Sequence, residues 1–107
     1  MVSNEIKINE MVDRIVKEFN PEKIILFGSY ADNTVRPDSD VDLLIVMDRA
    51  GSKREMAIAI DMAVANIDVP KDIIVITSDE LQKYKNVVGT IIYPAYHAGK
   101  LIYDRAA

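Results

Sequence analysis

The stretch ILFGSYADNTVRPDSDVDLLIV, residues 25–46, decides the reading of the whole chain. An apolar run ends in Gly28-Ser29, a polar loop follows, and Asp40 and Asp42 stand two apart at the head of a second apolar run. Both runs are short and apolar, the mark of buried strands rather than half-exposed ones. Side chains alternate along a strand, so Asp40 and Asp42 face one way and Val41 the other. Like charges this close raise each other's pKa unless a cation neutralises them. Mg²⁺ is the simplest such cation, because it takes oxygen ligands and commonly combines one or two carboxylates with substrate phosphates. The plain alternative is a solvated polar turn in which Asp38, Ser39 and Asp40 simply continue the loop.

Working outward, the elements alternate. Ile8, Met11, Val12, Ile15, Val16 and Phe19 recur at helical spacing, which predicts an amphipathic helix over 4–19, stopped by Asn20-Pro21. KIILF (23–27) and VDLLIVM (41–47) read as strands. Ser52 with Glu55 predicts a capping box, opening a helix with Met56, Ala59, Ile60, Ala63, Val64 and Ile67 on one face. DIIVIT (72–77) reads as a third strand, and Thr77 with Glu80 as a second capping box opening a helix over 78–85. A further helix is expected over 87–97, kinked or ended by Pro94. Gly99 suits its stop, and KLIYD (100–104) reads as a last, edge strand. The order α-β-α-β-α-β-α-α-β predicts an α/β (α+β) domain, a small mixed β-sheet packed by helices.

Composition bounds the rest. The 107 residues suit one domain, 1–107, and half of them are hydrophobic, enough for a core. Without Cys there is no disulfide framework or thiolate zinc site, and a single His, His97, cannot build a histidine metal cluster. The excess of 17 acidic over 13 basic residues, net −4, disfavours binding to a nucleic-acid backbone. MVSNEIKINE has no basic-then-apolar leader, and no apolar run nears the roughly 20 residues that span a bilayer. No membrane association and a cytoplasmic location are therefore expected.

Two further features bear on the acids. A Gly where a buried strand ends lets backbone approach a ligand, and amides at the following turn or helix start can hold an anion. Ser29 adds a hydroxyl. This is no P-loop, since the Gly-Lys-[Ser/Thr] ending is missing, and an ordinary turn is the alternative. Asp72 heads the third strand. If that strand lies beside VDLLIV, Asp72 stands next to Asp42, and three carboxylates converge beside the turn. That is the equipment of phosphoryl or nucleotidyl transfer. The alternative for Asp72 is a turn or cap residue. His97 reads as a structural or surface residue, with a catalytic base as the alternative. Tyr30 reads as a packing residue, with a contact to base or ribose as the alternative. Tyr93, Tyr96 and Tyr103 read as packing or contact residues.

GSYADNTVRPDSDVDLLIV resembles the signature of the DNA polymerase beta-type nucleotidyltransferase superfamily: Gly-Ser, about a dozen residues, then Asp-x-Asp. The likeness is nearest to the minimal nucleotidyltransferases of bacteria and archaea and covers nearly the whole chain, including an ending like HAGKLIYD. It implies the nucleotidyltransferase fold, Mg²⁺ held by Asp40, Asp42 and Asp72 as metal and catalytic residues, and a nucleoside triphosphate, ATP, on Gly28 and Ser29. Many members read Gly-Ser-x-Ala-Arg-Gly; this chain has Asp32 for the Arg and Asn33 for the Gly, which bears on nucleotide affinity. Larger relatives carry an acceptor-binding domain, and within these 107 residues none is expected. The resemblance to antitoxins of two-gene systems implies transfer of AMP from ATP to a tyrosine of a HEPT-type partner toxin, with a hetero-complex or a homo-oligomer. A binding antitoxin acting by contact alone and a small-molecule (antibiotic-type) nucleotidyltransferase are the competing expectations.

Overall fold

The computed structural model describes residues 4–48 and 51–107. Among the described residues five helices and four strands follow one another in the expected order: α1 (Asn4–Phe19), β1 (Lys23–Phe27), α2 (Ser29–Asp32), β2 (Val41–Val46), α3 (Lys53–Ala63), β3 (Lys71–Ile76), α4 (Ser78–Tyr84), α5 (Ile92–Ala98) and β4 (Lys100–Asp104). The sheet runs β3-β2-β1-β4, with β2 and β3 parallel and the other two pairs antiparallel. It is the expected mixed sheet. The parallel pair needs a crossover, and α3 supplies it.

Strand alternation sorts the core onto two faces. Ile24, Leu26, Val41, Leu43 and Ile45 pack with Ile8, Met11 and Ile15 of α1 and Ile60 of α3. Ile25, Phe27, Leu44, Val46 and Ile76 pack with Leu81 of α4 and with Ile92 and Ala95 of α5. A sheet covered on both sides requires the continuous apolar runs that the strands show. Among the described residues no charged side chain is buried in either layer.

The ends of the elements follow from local chemistry. α1 stops at Asn20, which adopts a positive φ of 49°, a conformation Asn tolerates, just before buried Pro21. At α3, Ser52 Oγ accepts the Glu55 N–H at 3.3 Å. At α4 the capping box closes in both directions: Thr77 Oγ1 accepts from the Glu80 N–H (3.1 Å) and Glu80 Oε1 from the Thr77 N–H (3.0 Å). Thr77 is therefore a cap and not the last residue of β3, which begins one position earlier than expected and ends at Ile76.

The helix expected over 87–97 is shorter and later. Val87 to Thr90 form turns, with Gly89 at φ 99°, and α5 begins at Ile92. Pro94 neither kinks nor ends it. It occupies the first turn, where an amide has no partner within the helix, so the missing N–H costs nothing. Thr90 Oγ1 receives the Tyr93 N–H instead (3.3 Å). Gly99 then ends α5 hard against β1: a Cβ there would lie 2.2 Å from the Ala95 carbonyl and 2.9 Å from that of Leu26.

The α4 cap is also tied to α3, since Lys53 Nζ lies 2.5 Å from Glu80 Oε2. The Lys53 bond, followed by the Thr77 N–H bond, holds the Glu80 carboxyl below its ordinary range. A lowered folded pKa means stability present above the unfolded value and lost as pH falls through the folded one. Thr77→Ala should lower unfolding free energy by about 1 kcal/mol in urea titrations at neutral pH. Both proteins should lose further stability as pH falls below the ordinary glutamate pKa of 4.5, where Glu80 begins to lose its charge-assisted bonds, while the deficit between them persists because the Glu80 backbone N–H does not titrate.

Candidate active site

The site is built where β1 ends and β2 and β3 begin. β1 and β2 are antiparallel and put Phe27 opposite Asp42; β2 and β3 are parallel and put Asp42 opposite Asp72. By strand parity Asp42 and Asp72 share the face of Leu44, Val46 and Ile74, the layer that α4 and α5 cover further along. Asp40 lies one residue before β2 and is exposed, as is Asp72; Asp42 is half-buried. The expected neighbourhood of Asp42 and Asp72 is thus produced by register alone.

The loop that delivers these acids is held by its own backbone. The Arg36 N–H donates to Ser39 Oγ (2.8 Å) and the Ser39 N–H to the Arg36 carbonyl (3.0 Å). The Val41 N–H then donates to the Pro70 carbonyl at 2.8 Å, which sets the start of β2 against the start of β3.

Electrostatics agree with the geometry. The Asp42 carboxyl is pushed above its ordinary value of 3.8, first by burial, then by Asp72, then by Asp40. Neighbouring Lys71 is bonded elsewhere: its Nζ donates to the Ile67 carbonyl at 2.9 Å. Among the described residues no three carboxylate or imidazole side chains already close around an ion-sized point. Asp40, Asp42 and Asp72 stand together at the start of the β2–β3 pair and offer oxygen donors only. That donor chemistry fits a hard divalent cation such as Mg²⁺, completed by oxygens from elsewhere.

Gly28 ends β1 at φ 73°, ψ −151°, a conformation nearly restricted to glycine, and is the N-cap of α2. The amides of Ala31 and Asp32 turn back to its carbonyl at 3.0 and 3.2 Å. Ser29, half-buried, is the first residue of α2. The turn expected to hold phosphate therefore abuts the strand pair that carries the acids.

The departures at positions 32 and 33 have a local account. Asn33 is left-handed (φ 62°), which Asn supports nearly as Gly does. The exposed Asp32 carboxylate accepts the Thr34 N–H at 3.1 Å and the Thr34 hydroxyl, closing its own turn. Sequence reasoning missed this role; an Asp followed two residues later by Thr is the signal that could have found it.

The two aromatic residues read as structural have partners within the chain. His97 Nε2 lies 2.9 Å from Asn86 Oδ1 and its ring sits 4.5 Å from that of Tyr93. Tyr30 packs beside the α1 layer and its hydroxyl accepts from Asn4 Nδ2 at 2.7 Å.

A small mixed sheet with helices on both faces, carrying acids at paired strand starts next to a Gly-Ser turn, is the architecture of the nucleotidyltransferase fold. The chain belongs to the family described as Polymerase beta, Nucleotidyltransferase, whose profile matches residues 9–107. Two solved structures share the fold. One is a protein from Sulfolobus solfataricus assigned as a nucleotidyltransferase, 22% identical with a TM-score of 0.59, over 94% of this chain and 80% of the other. The second is a toxin–antitoxin with AMP-PNP, 23% identical with a TM-score of 0.55, over 95% of this chain and 74% of the other. A search of the curated proteins finds no match. No helix among the described residues is long and apolar enough to cross a membrane.

A raised folded pKa at Asp42 has a definite sign. Its contribution to stability is fully present below the unfolded aspartate pKa and is lost as pH rises through the raised folded value. Asp42→Asn removes the charge without the shape, so it should melt a few degrees higher than wild type at neutral pH. The gain should vanish as pH falls below the ordinary aspartate value of 3.8, where Asp42 is protonated in both folded and unfolded chains. Melting curves across this range, without divalent ions, read the difference directly.

Proposed function

We propose that this chain is a Mg²⁺-dependent nucleotidyltransferase that moves AMP from ATP to a hydroxyl acceptor, a tyrosine of a HEPT-type partner toxin, and so acts as an antitoxin. One observation carries the reading: Asp42 and Asp72 are direct neighbours across parallel strands, with Asp40 two residues before Asp42 and the Gly28 turn alongside. Family membership supports the reaction class. The fold shared with a toxin–antitoxin that was crystallised with AMP-PNP supports the choice of an adenine nucleotide and a protein partner.

In this reading Gly28 and Ser29 orient the triphosphate, the glycine by letting backbone come close and the serine by its hydroxyl. Asp40, Asp42 and Asp72 hold Mg²⁺. Bound there, Mg²⁺ would neutralise phosphate charge and favour the ionised acceptor. Asp72, the more exposed of the paired acids, takes the proton from the acceptor hydroxyl. The acceptor oxygen bonds to the α-phosphorus, the bond to the bridging oxygen breaks, and pyrophosphate leaves with that electron pair. A second reading, neutralisation by contact alone, is favoured by one observation: position 32 is an acid, tied to Thr34, where the family pattern has a cation for the nucleotide.

Asp72→Asn separates the two. It should leave ATP binding in Mg²⁺ nearly intact and cut transfer roughly 10²–10⁴-fold, the usual cost of a lost base. Three assays on this one protein decide: calorimetry with ATP, the mass of the HEPT-type partner after incubation, and rescue of cells expressing that partner. Loss of transfer together with loss of rescue supports the enzyme. Full rescue without transfer overturns it in favour of the binder. ATP affinity that is the same with and without Mg²⁺ would count against the metal assignment.

A further inference from the structure

The reason for glycine at position 28 is written in what surrounds it. A Cβ built on Gly28 would lie 2.3 Å from Asp42 Oδ2, 3.3 Å from its Cγ and 3.7 Å from its Cβ. Its three nearest neighbours all belong to that one side chain. The pairing of Phe27 with Asp42 brings them together, because the residue after Phe27 must pass over the strand start where the carboxylate stands. The carboxylate thus occupies the space that any other residue at position 28 would fill.

We infer that Gly28 is a positioning residue for Asp42: the missing side chain leaves the seat in which the Asp42 carboxylate is held against the turn. This rests on the proposed metal role of Asp42 and deepens it. The usual account of such a glycine concerns only the approach of a ligand to the backbone. Here the glycine faces the protein's own carboxylate as well, so the turn and the acid rim form one mechanical unit. A Cβ at position 28 would meet the end of a rotatable side chain and not a backbone atom. The fold can therefore survive the substitution, and the site absorbs it through rotation of Asp42.

Gly89 provides the control. It too has a positive φ, 99°, but a Cβ there would meet nothing within 4 Å. Gly28→Ala and Gly89→Ala should both lower the melting temperature through backbone strain. Only Gly28→Ala should weaken the binding of Mn²⁺, measured without nucleotide by the paramagnetic resonance of the free ion, by about tenfold or more, the scale seen when the support of a metal ligand is removed. A crystal structure of Gly28→Ala should show the Asp42 carboxylate swung out of its seat. A folded Gly28→Ala protein with wild-type Mn²⁺ affinity, or with Asp42 unmoved, overturns the inference. If the wild-type chain binds no Mn²⁺ without nucleotide, the crystal structure decides the positioning role alone, a moved Asp42 upholding it and an unmoved one ending it; the metal reading itself fails if Mn²⁺ is not bound with ATP present either.

Discussion

The parallel pairing of β2 with β3 places Asp42 directly against Asp72, and most of the molecule serves to hold that register. A single-residue slip would turn every side chain of β3 to the opposite face. It would move Asp72 away from Asp42 and bury the wrong half of the strand. The register is secured from both sides: Ile73 and Val75 pack toward α1 and α3, Ile74 and Ile76 toward α4 and α5. The Val41 amide on the Pro70 carbonyl sets the end of the ladder. The repulsion between the paired acids is opposed by two apolar layers that can be satisfied in only one alignment.

The position of the acids along the strands matters as much as their pairing. Leu43 and Leu44, immediately after Asp42, are fully buried, while Asp40 is exposed. Asp42 therefore sits at the boundary, desolvated enough for its charge to be costly yet open enough for a ligand to reach. A charge further along would have to be neutralised within the core; one further out would be screened by water. The boundary is where a carboxylate retains an unmet demand for a cation.

The opposite end of the sheet has a different character. There Asp48 accepts the Ser78 N–H at 3.0 Å, Glu80 closes the α4 cap, and Lys53 pairs with Glu80. These carboxylates have donors built in and serve to close turns. The contrast lies not in residue type but in partners: acids that cap are satisfied by the chain, and those at the β2–β3 start accept no hydrogen bond among the described residues.

The apolar runs and their spacing determined the elements, because periodicity reports which side must be covered whatever covers it. Gly-Ser, Asp-x-Asp and the strand-heading Asp72 were likewise legible, since their chemistry depends on residue type and short spacing. The extent of α5 was not legible: apolar residues from 87 onward fit a helix, yet the turns and the Thr90 bond start it at Ile92 and leave Pro94 harmlessly in the first turn. Nor could the sequence say that β3 would pair with β2 in the register that sets Asp72 against Asp42, or that the carboxylate of Asp42 would fill the space beside Gly28. Those facts depend on strand order, register and side-chain direction. They are decided only when distant segments pack, because contact between residues fourteen or thirty positions apart is a property of the folded sheet and not of the local chain.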